Sequence, residues 1–158
     1  MIELFEQNER KADRQSSKGN QLKWENNGIW YKADCTGYEG LAEYMISHLL
    51  KFSSLQKDEF VLYDYERIKY KNIFYNGVKS NNFYMMTGRL LRWSVCFTIF
   101  SRRVLYEAVW HIHLHFSFTK KDVEQILNEI PGYSDQEKER VRDIFISRCV
   151  SINICLKN

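Results

Sequence analysis

A predicted β-hairpin near the amino terminus constrains the fold of this chain more than any other feature. Residues 21 to 24 read Gln-Leu-Lys-Trp, residues 29 to 35 read Ile-Trp-Tyr-Lys-Ala-Asp-Cys, and Asn26-Asn27-Gly28 lies between them. Asparagine and glycine tolerate the positive φ angles of a tight hairpin turn, and aromatic side chains on both flanks favour strands. The sequence therefore predicts strands as well as helices.

One helix and two further strands are predicted after this hairpin. From Tyr38 to Phe52, apolar residues recur every three or four positions, which is typical of an amphipathic helix. Phe60 to Tyr65 and Ile68 to Tyr75 are rich in aromatic and branched residues, as strands are. The lysines of the second stretch indicate an edge strand.

The carboxyl-terminal part predicts two helices joined by a short turn. Thr119 can cap a helix that runs to about Ile130, and Pro131-Gly132 ends it. Ser134-Asp-Gln-Glu137 is a capping box for a second helix to about residue 150. The second helix is expected to direct three apolar residues inward, namely Val141, Ile144 and Phe145.

These patterns predict an α+β fold in which an antiparallel sheet with one helix is followed by a C-terminal helical hairpin. Residues 1 to 19 are polar without clear periodicity and are expected to form a flexible N-terminal arm. Residues 20 to 83 hold the sheet and its helix. Residues 84 to 113 are irregular, because apolar, aromatic and arginine residues mix there without a sustained period. The helical hairpin occupies residues 114 to 158.

Composition narrows the class of protein further. The chain has 158 residues, 44% of them hydrophobic, which is enough for one domain with a core. Its net charge of +3 is mild and spread along the chain, so no nucleic acid is expected as a partner. It has no membrane-length apolar run, and its charged amino terminus is unlike a secretory signal. A cytoplasmic protein with four ordinary thiols is the expectation.

The order of hairpin, lysine strand, helix and strands resembles the small lobe of a kinase. Ser17 to Lys23 is similar to the glycine-containing loop and strand that HipA-like serine/threonine kinases place over the phosphates of ATP. Trp30 to Asp34 resembles their lysine strand, and Gly37 to Tyr44 resembles the start of the next helix in a clostridial-type branch of that family. The stretches covered are residues 17 to 83, in part 105 to 113, and 114 to about 148.

This resemblance implies a nucleotide site. Lys32 would contact the α- and β-phosphates, and Glu43 would hold Lys32 in an ion pair, as kinases require before phosphoryl transfer. Glu39, one helical turn earlier, is the alternative partner. Backbone amides around Gly19 and Asn20 would lie against the phosphates. The residues near Val61 to Tyr63 would form the strand that leads to the adenine.

The resemblance also identifies what this sequence lacks. Intact relatives use ATP and Mg²⁺ to phosphorylate protein serine or threonine, often in toxin–antitoxin settings, and they carry an Asn-x-Asp-Arg-type catalytic loop and a later metal-binding Asp. Neither motif is found here. The block from Leu114 resembles the extreme carboxyl terminus of the family and follows directly on His113. We therefore expect a truncated, catalytically inactive kinase fragment that binds ATP weakly at most, and we assign no catalytic and no metal-binding residue.

Several alternatives stay open. A two-base-shifted reading of the back-translated stretch Phe83 to Phe97 resembles the relatives at this point, so one hypothesis is a local, later restored frameshift in a degraded gene. A non-catalytic module that binds a partner protein, such as an intact kinase or antitoxin, is the alternative function. Two weaker candidates are a metal site at His111, His113 and His115, and a base-stacking surface at Tyr63, Tyr65, Lys69 and Lys71.

Overall fold

The computed structural model of the protein describes residues 1–5, 22–35, 37–57, 60–81 and 117–151, which form five strands and three α-helices. The strands are β1 (Ile2–Leu4), β2 (Lys23–Asn26), β3 (Ile29–Ala33), β4 (Asp64–Tyr70) and β5 (Ile73–Asn81). The helices are α1 (Glu39–Leu49), which a 3-10 turn continues over Leu50–Phe52, α2 (Lys120–Glu129) and α3 (Asp135–Ser151).

The five strands form one mixed sheet in the order β1-β4-β5-β3-β2. The α+β class is confirmed, but the sheet is not wholly antiparallel, because β1 pairs with β4 in parallel. The prediction of a flexible arm is also wrong for residues 2 to 4. Ile2 and Leu4 lie opposite Ile68 and Tyr70, and Leu4 is buried. An apolar pair from the start of the chain thus completes a core whose other members lie much later in the sequence.

Both hairpins of the sheet have two-residue turns. The first is confirmed: Asn27 and Gly28 have φ angles of 52° and 78° between β2 and β3. The second turn lies at Lys71-Asn72, with φ angles of 48° and 61°. The predicted strand bounds there are wrong, since positive φ at a lysine gives no signal comparable to Asn-Gly. β4 is also not an edge strand, because β1 covers its other side.

The sheet has a different apolar core on each face. The curled-face core consists of Leu4, Trp24, Tyr31, Ala33, Ile68 and Tyr70. Trp24 on β2 meets Tyr70 on β4 with ring centroids 5.0 Å apart, although two strands separate them in the sheet order. The sheet must therefore curl so that its edges approach each other. The α1-face core combines residues of all three helices with Tyr63 and Val78.

The helices begin and end close to the predicted positions. Thr119 forms a reciprocal capping box with Asp122, and Ser134 forms the predicted one with Glu137. Val141 and Phe145 of α3 enter the α1-face core. Ile144 does not, since its side chain is 44% exposed, so the inward position predicted for it is wrong. Val141 and Phe145 form the buried side of this helix, and Ile144 lies at its exposed edge.

Two of the predicted segments lie outside the described residues: the arm from residue 6 to residue 19 and the whole irregular stretch from 84 to 113. None of the helices within the described ranges has the length and apolar character needed to cross a bilayer.

Candidate functional site

A buried ion pair joins β3 to α1. Side chains alternate between the two faces of a strand, and Tyr31 and Ala33 enter the curled-face core, so Lys32 points toward α1. There its Nζ lies 2.7 Å from Oε1 of Glu43. The side chains are 15% and 4% exposed, respectively. The pair therefore lies at the junction of sheet and helix, largely out of water.

Tyr63 completes the surroundings of the lysine. Its hydroxyl accepts a hydrogen bond from Nζ of Lys32 at 2.9 Å. Its backbone N–H donates to Oγ of Ser47 at 3.1 Å. Ser47 is fully buried and follows Glu43 by one helical turn. The loop before β4 is thereby fixed to the same helix face that carries the carboxylate.

The charges around the pair favour a protonated lysine. Burial by itself would lower the pKa of Lys32, but the carboxylate of Glu43 and the hydrogen bonds to Glu43 and Tyr63 outweigh it, so the pKa is raised. Lys23 lies directly opposite Lys32 in the β2–β3 register. Burial and then repulsion by Lys32 lower the pKa of Lys23, and Glu43 partly offsets this. Lys23 thus lies beside the ion pair as a second lysine on the same face of the sheet, and a lysine in this position can contact an anionic ligand.

A second, partly buried acid lies between β3 and α1. Asp34 follows Lys32 by two residues and accepts hydrogen bonds from the backbone N–H of Gly40 and, at 2.6 Å, from the hydroxyl of Tyr133. Burial raises the pKa of Asp34 to about 6, although these hydrogen bonds favour its charged form and partly oppose the rise. The same carboxylate, together with burial, raises the pKa of Tyr133.

The predicted site residues are only partly brought together. The predicted ion pair between Lys32 and Glu43 is present. The alternative partner, Glu39, is the first residue of α1. Gly19 and Asn20 lie outside the described residues. The stretch 61 to 63 is not a strand, since β4 begins only at residue 64. The role of these residues in nucleotide binding stays a prediction.

The structure bears differently on the two weaker candidates, the histidine metal site and the base-stacking surface. The three histidines at 111, 113 and 115 lie outside the described residues, and within the described ranges no group of three or more His, Cys, Asp or Glu is arranged to hold a metal ion. Tyr63 is buried against Lys32, and Tyr65 packs against the α1-face core. Lys69 pairs with Glu3 at 2.8 Å.

Three residues of this region were not identified as functional from sequence, namely Lys23, Asp34 and Tyr133. Tyr63 was predicted for the strand toward the adenine and for base stacking, but not as a partner of Lys32. The turn at Asn27-Gly28 fixes the register that places Lys23 opposite Lys32, so Lys23 could have been found. Asp34 gave no such signal, because it lies four residues before the N-cap of α1, Tyr38. Tyr63 and Tyr133 carried no such signal, because their partners lie 31 and 99 residues away.

Comparisons of this chain with models of protein families, with curated proteins and with solved structures found no match. Four residues define the site by their geometry: Lys32, Glu43, Tyr63 and Lys23. That geometry is a buried, charge-paired lysine with a second lysine beside it, between a hairpin strand and the next helix.

Proposed function

We propose that this protein is a nucleotide-binding fragment derived from the small lobe of a HipA-like kinase, able to hold ATP weakly and unable to transfer its phosphate. The observation that carries the proposal is the buried pair of Lys32 with Glu43. Protein kinases require a strand lysine held by a helix glutamate, because the lysine must be positioned against the phosphates. The same two residue types lie here on the second strand of a hairpin, β3, and on the helix after it, α1.

The chemistry of the described residues suits the phosphate end of a nucleotide. The ammonium of Lys32 would contact the α- and β-phosphates while Glu43 and Tyr63 fix its direction. Lys23, directly opposite in the register, adds positive charge on the same face. When bound, ATP with Mg²⁺ would supply a transferable phosphoryl group. We assign no residue as base or magnesium ligand, so binding without turnover is the proposed outcome.

A thermal melt with and without Mg–ATP tests the proposal. At a ligand concentration about ten times Kd, binding to the folded state stabilises it by about 1.4 kcal/mol. We expect Mg–ATP to raise the Tm of the wild-type chain and to leave that of Lys32→Met unchanged. Lys79→Met is the matched control, because Lys79 also pairs with a glutamate, Glu66, but from the opposite face of the sheet.

The Tm values of the wild type and the two variants show whether Mg–ATP binds, and whether it binds at Lys32. Lys79→Met should respond to Mg–ATP as the wild type does. A cooperative wild-type transition that ignores Mg–ATP would contradict nucleotide binding. An equal response in Lys32→Met and wild type would show that any nucleotide binds elsewhere.

A second candidate function is a non-catalytic module that binds a partner protein such as an intact kinase or antitoxin. The observation in its favour is a set of apolar side chains near the β4–β5 turn. Phe5, Ile73 and Phe74 are 54%, 54% and 50% exposed. Leu4 pairs with Tyr70, so Phe5 follows β1 beside this turn, while Ile73 and Phe74 point to opposite faces of β5. Exposed apolar side chains at a sheet end are candidates for an interaction surface. Light scattering on the wild type and on Phe74→Ser tests this: a defined complex that is insensitive to ATP and lost in the variant supports it.

A further inference from the structure

Asp34 is a junction between three parts of the chain. Its backbone N–H donates to the carbonyl oxygen of Asn76 on β5 at 2.8 Å. Its carboxylate accepts from Gly40 at the start of α1 and from Tyr133 in the turn between α2 and α3. A single side chain thus connects the end of β3, which carries Lys32, to the helix that carries Glu43 and to the carboxyl-terminal helices.

The amino-terminal end of α1 depends on this carboxylate. The first N–H groups of a helix have no partner within the helix, and the N-cap residue here, Tyr38, provides no side-chain cap. Asp34 supplies the missing acceptor, and its negative charge is favourable beside the positive end of the helix dipole. A Cβ at Gly40 would lie 2.9 Å from Oδ1 of Asp34, so glycine permits this close approach. Glu43 follows Gly40 by three residues, so its position depends on where this first turn is held.

The tyrosine that reaches Asp34 comes from a firmly anchored turn. Nδ2 of Asn76 donates to the carbonyl oxygen of Gly132 at 2.6 Å, and the hydroxyl of Tyr65 donates to Oδ1 of Asn76 at 3.0 Å. The rings of Tyr65 and Tyr133 meet edge to face with centroids 6.0 Å apart. Gly132 has a φ of +82°, which glycine adopts without strain. Contacts from Tyr65 on β4 and Asn76 on β5 therefore hold the turn in the position from which the hydroxyl of Tyr133 contacts Asp34.

We propose that Tyr133 is a positioning residue: through Asp34 it holds the start of α1 in the place where Glu43 meets Lys32. The carboxyl-terminal helices then act as a clamp within the chain that sets the ion pair. A second link supports the same arrangement, since Arg140 of α3 donates to the hydroxyl of Tyr38 at 3.2 Å. The consequence for ATP rests on the proposed nucleotide site, whereas the effect on the ion pair does not.

The test is Tyr133→Phe, which removes one hydroxyl and keeps the ring. NMR of the Lys32 side chain (the ¹⁵Nζ resonance and the exchange of its ammonium protons with water) reports the ion pair directly, without ligand. We expect this exchange to become about tenfold faster, because a hydrogen bond to a charged acceptor contributes at least that factor to an equilibrium. We also expect the ¹³C titration of the Asp34 carboxyl to move upward from about 6, since a donor that favours the charged form is lost.

Tyr31→Phe is the matched control. Tyr31 is buried in the curled-face core and is the neighbour of Lys32 in the chain, but its side chain points away from α1. It should leave the Lys32 resonance unchanged. A folded Tyr133→Phe chain with the Lys32 exchange of the wild type would overturn the proposal.

Asp34→Asn supplies an independent variant, because the amide keeps an acceptor for Gly40 but loses the charge. It should speed Lys32 exchange in the same direction, and adding Tyr133→Phe should add little, since both changes act on one contact. Additive effects would contradict the link through Asp34. If ATP does not bind the wild type, the proposed function fails while these ligand-free results still decide the positioning role. If ATP binds, its effect on Tm should be smaller in Tyr133→Phe.

Discussion

Two lysine–glutamate pairs lie on opposite faces of the same sheet, and they differ in burial far more than in geometry. Lys32 pairs with Glu43 at 2.7 Å on the α1 face, and Lys79 pairs with Glu66 at 2.9 Å on the curled face. The exposures are 15% and 4% for the first pair, and 37% and 13% for the second. Glu66 also binds the amino-terminal ammonium of Met1 at 2.7 Å.

The distance between the charged atoms does not determine the role of an ion pair. In a half-exposed pair, each charged group gives up contacts with water for a contact with its partner. The net gain in stability is small. A pair enclosed between strand and helix loses hydration and is often no more stabilising than apolar residues of the same size. A largely buried charge with a shifted pKa is a candidate for function, and Lys32, whose pKa the carboxylate of Glu43 raises, meets this description.

Removing one partner from each pair gives the largest expected difference. Glu43→Ala leaves the ammonium of Lys32 buried without its carboxylate, and we expect the free energy of unfolding to fall by about 3–5 kcal/mol. Lys79→Ala should lower it by less than about 1 kcal/mol, because water replaces the lost contact. Urea denaturation of both variants measures this. Equal losses would contradict the distinction between the two faces.

Replacing both partners of the buried pair separates stability from function. In Lys32→Met/Glu43→Leu no charge is left unpaired, so we expect the free energy of unfolding to equal or exceed that of the wild type by up to about 4 kcal/mol. Any rise of Tm with Mg–ATP should be lost. A double variant much less stable than the wild type would mean that the pair is retained for the fold rather than for a ligand.

The stability contributed by Asp34 and the stability contributed by Glu66 should change with pH in opposite directions. Burial raises the pKa of Asp34 from 3.8 to about 6, so between these values the folded chain holds a proton that the unfolded chain has released. Stability from this group is present below pH 3.8 and is lost as pH rises through about 6. The pKa of Glu66 is lowered despite its burial, because the amino terminus and Lys79 favour its charge, so its contribution is lost as pH falls below about 4.5.

Unfolding experiments from pH 3.5 to 7 on three chains measure this contrast. The stability of the wild type relative to Asp34→Asn should decrease as pH rises, and its stability relative to Glu66→Gln should increase. If both differences in the free energy of unfolding changed in the same direction with pH, the predicted contrast between Asp34 and Glu66 would be wrong.

Salt gives the smallest expected effect. The Debye length falls from about 8 Å at physiological ionic strength to about 3 Å at 1 M, which weakens exposed pairs more than buried ones. A double-mutant cycle on Lys79 and Glu66 should therefore lose most of a coupling of less than about 1 kcal/mol at 1 M NaCl. The cycle on Lys32 and Glu43 should change little. A buried pair as sensitive to salt as the exposed one would remove the distinction.

Much of the local structure could be predicted. The first hairpin forms at Asn27-Gly28, α1 forms where apolar residues recur at helical spacing, and Ser134 caps α3 with Glu137. The bounds of the next two strands are predicted wrongly, because the turn between them, Lys71-Asn72, adopts positive φ without the residues that usually signal it. The pairing of Lys32 with Glu43 was expected through the family resemblance and not from spacing, since nothing in their separation of 11 residues indicates contact.

The sequence by itself determined the hairpin turn, the helix caps and the alternation that directs Lys32 away from Tyr31. These features depend on backbone preferences and on neighbours within a few residues, so a short stretch of chain is enough to specify them. The tertiary structure decided the parallel docking of β1 on β4, the curl that brings Trp24 to Tyr70, and the hydrogen bond from Tyr133 to Asp34 across 99 residues. Such contacts depend on how whole elements pack, because only packing brings distant segments close enough for a single hydroxyl to meet a single carboxylate.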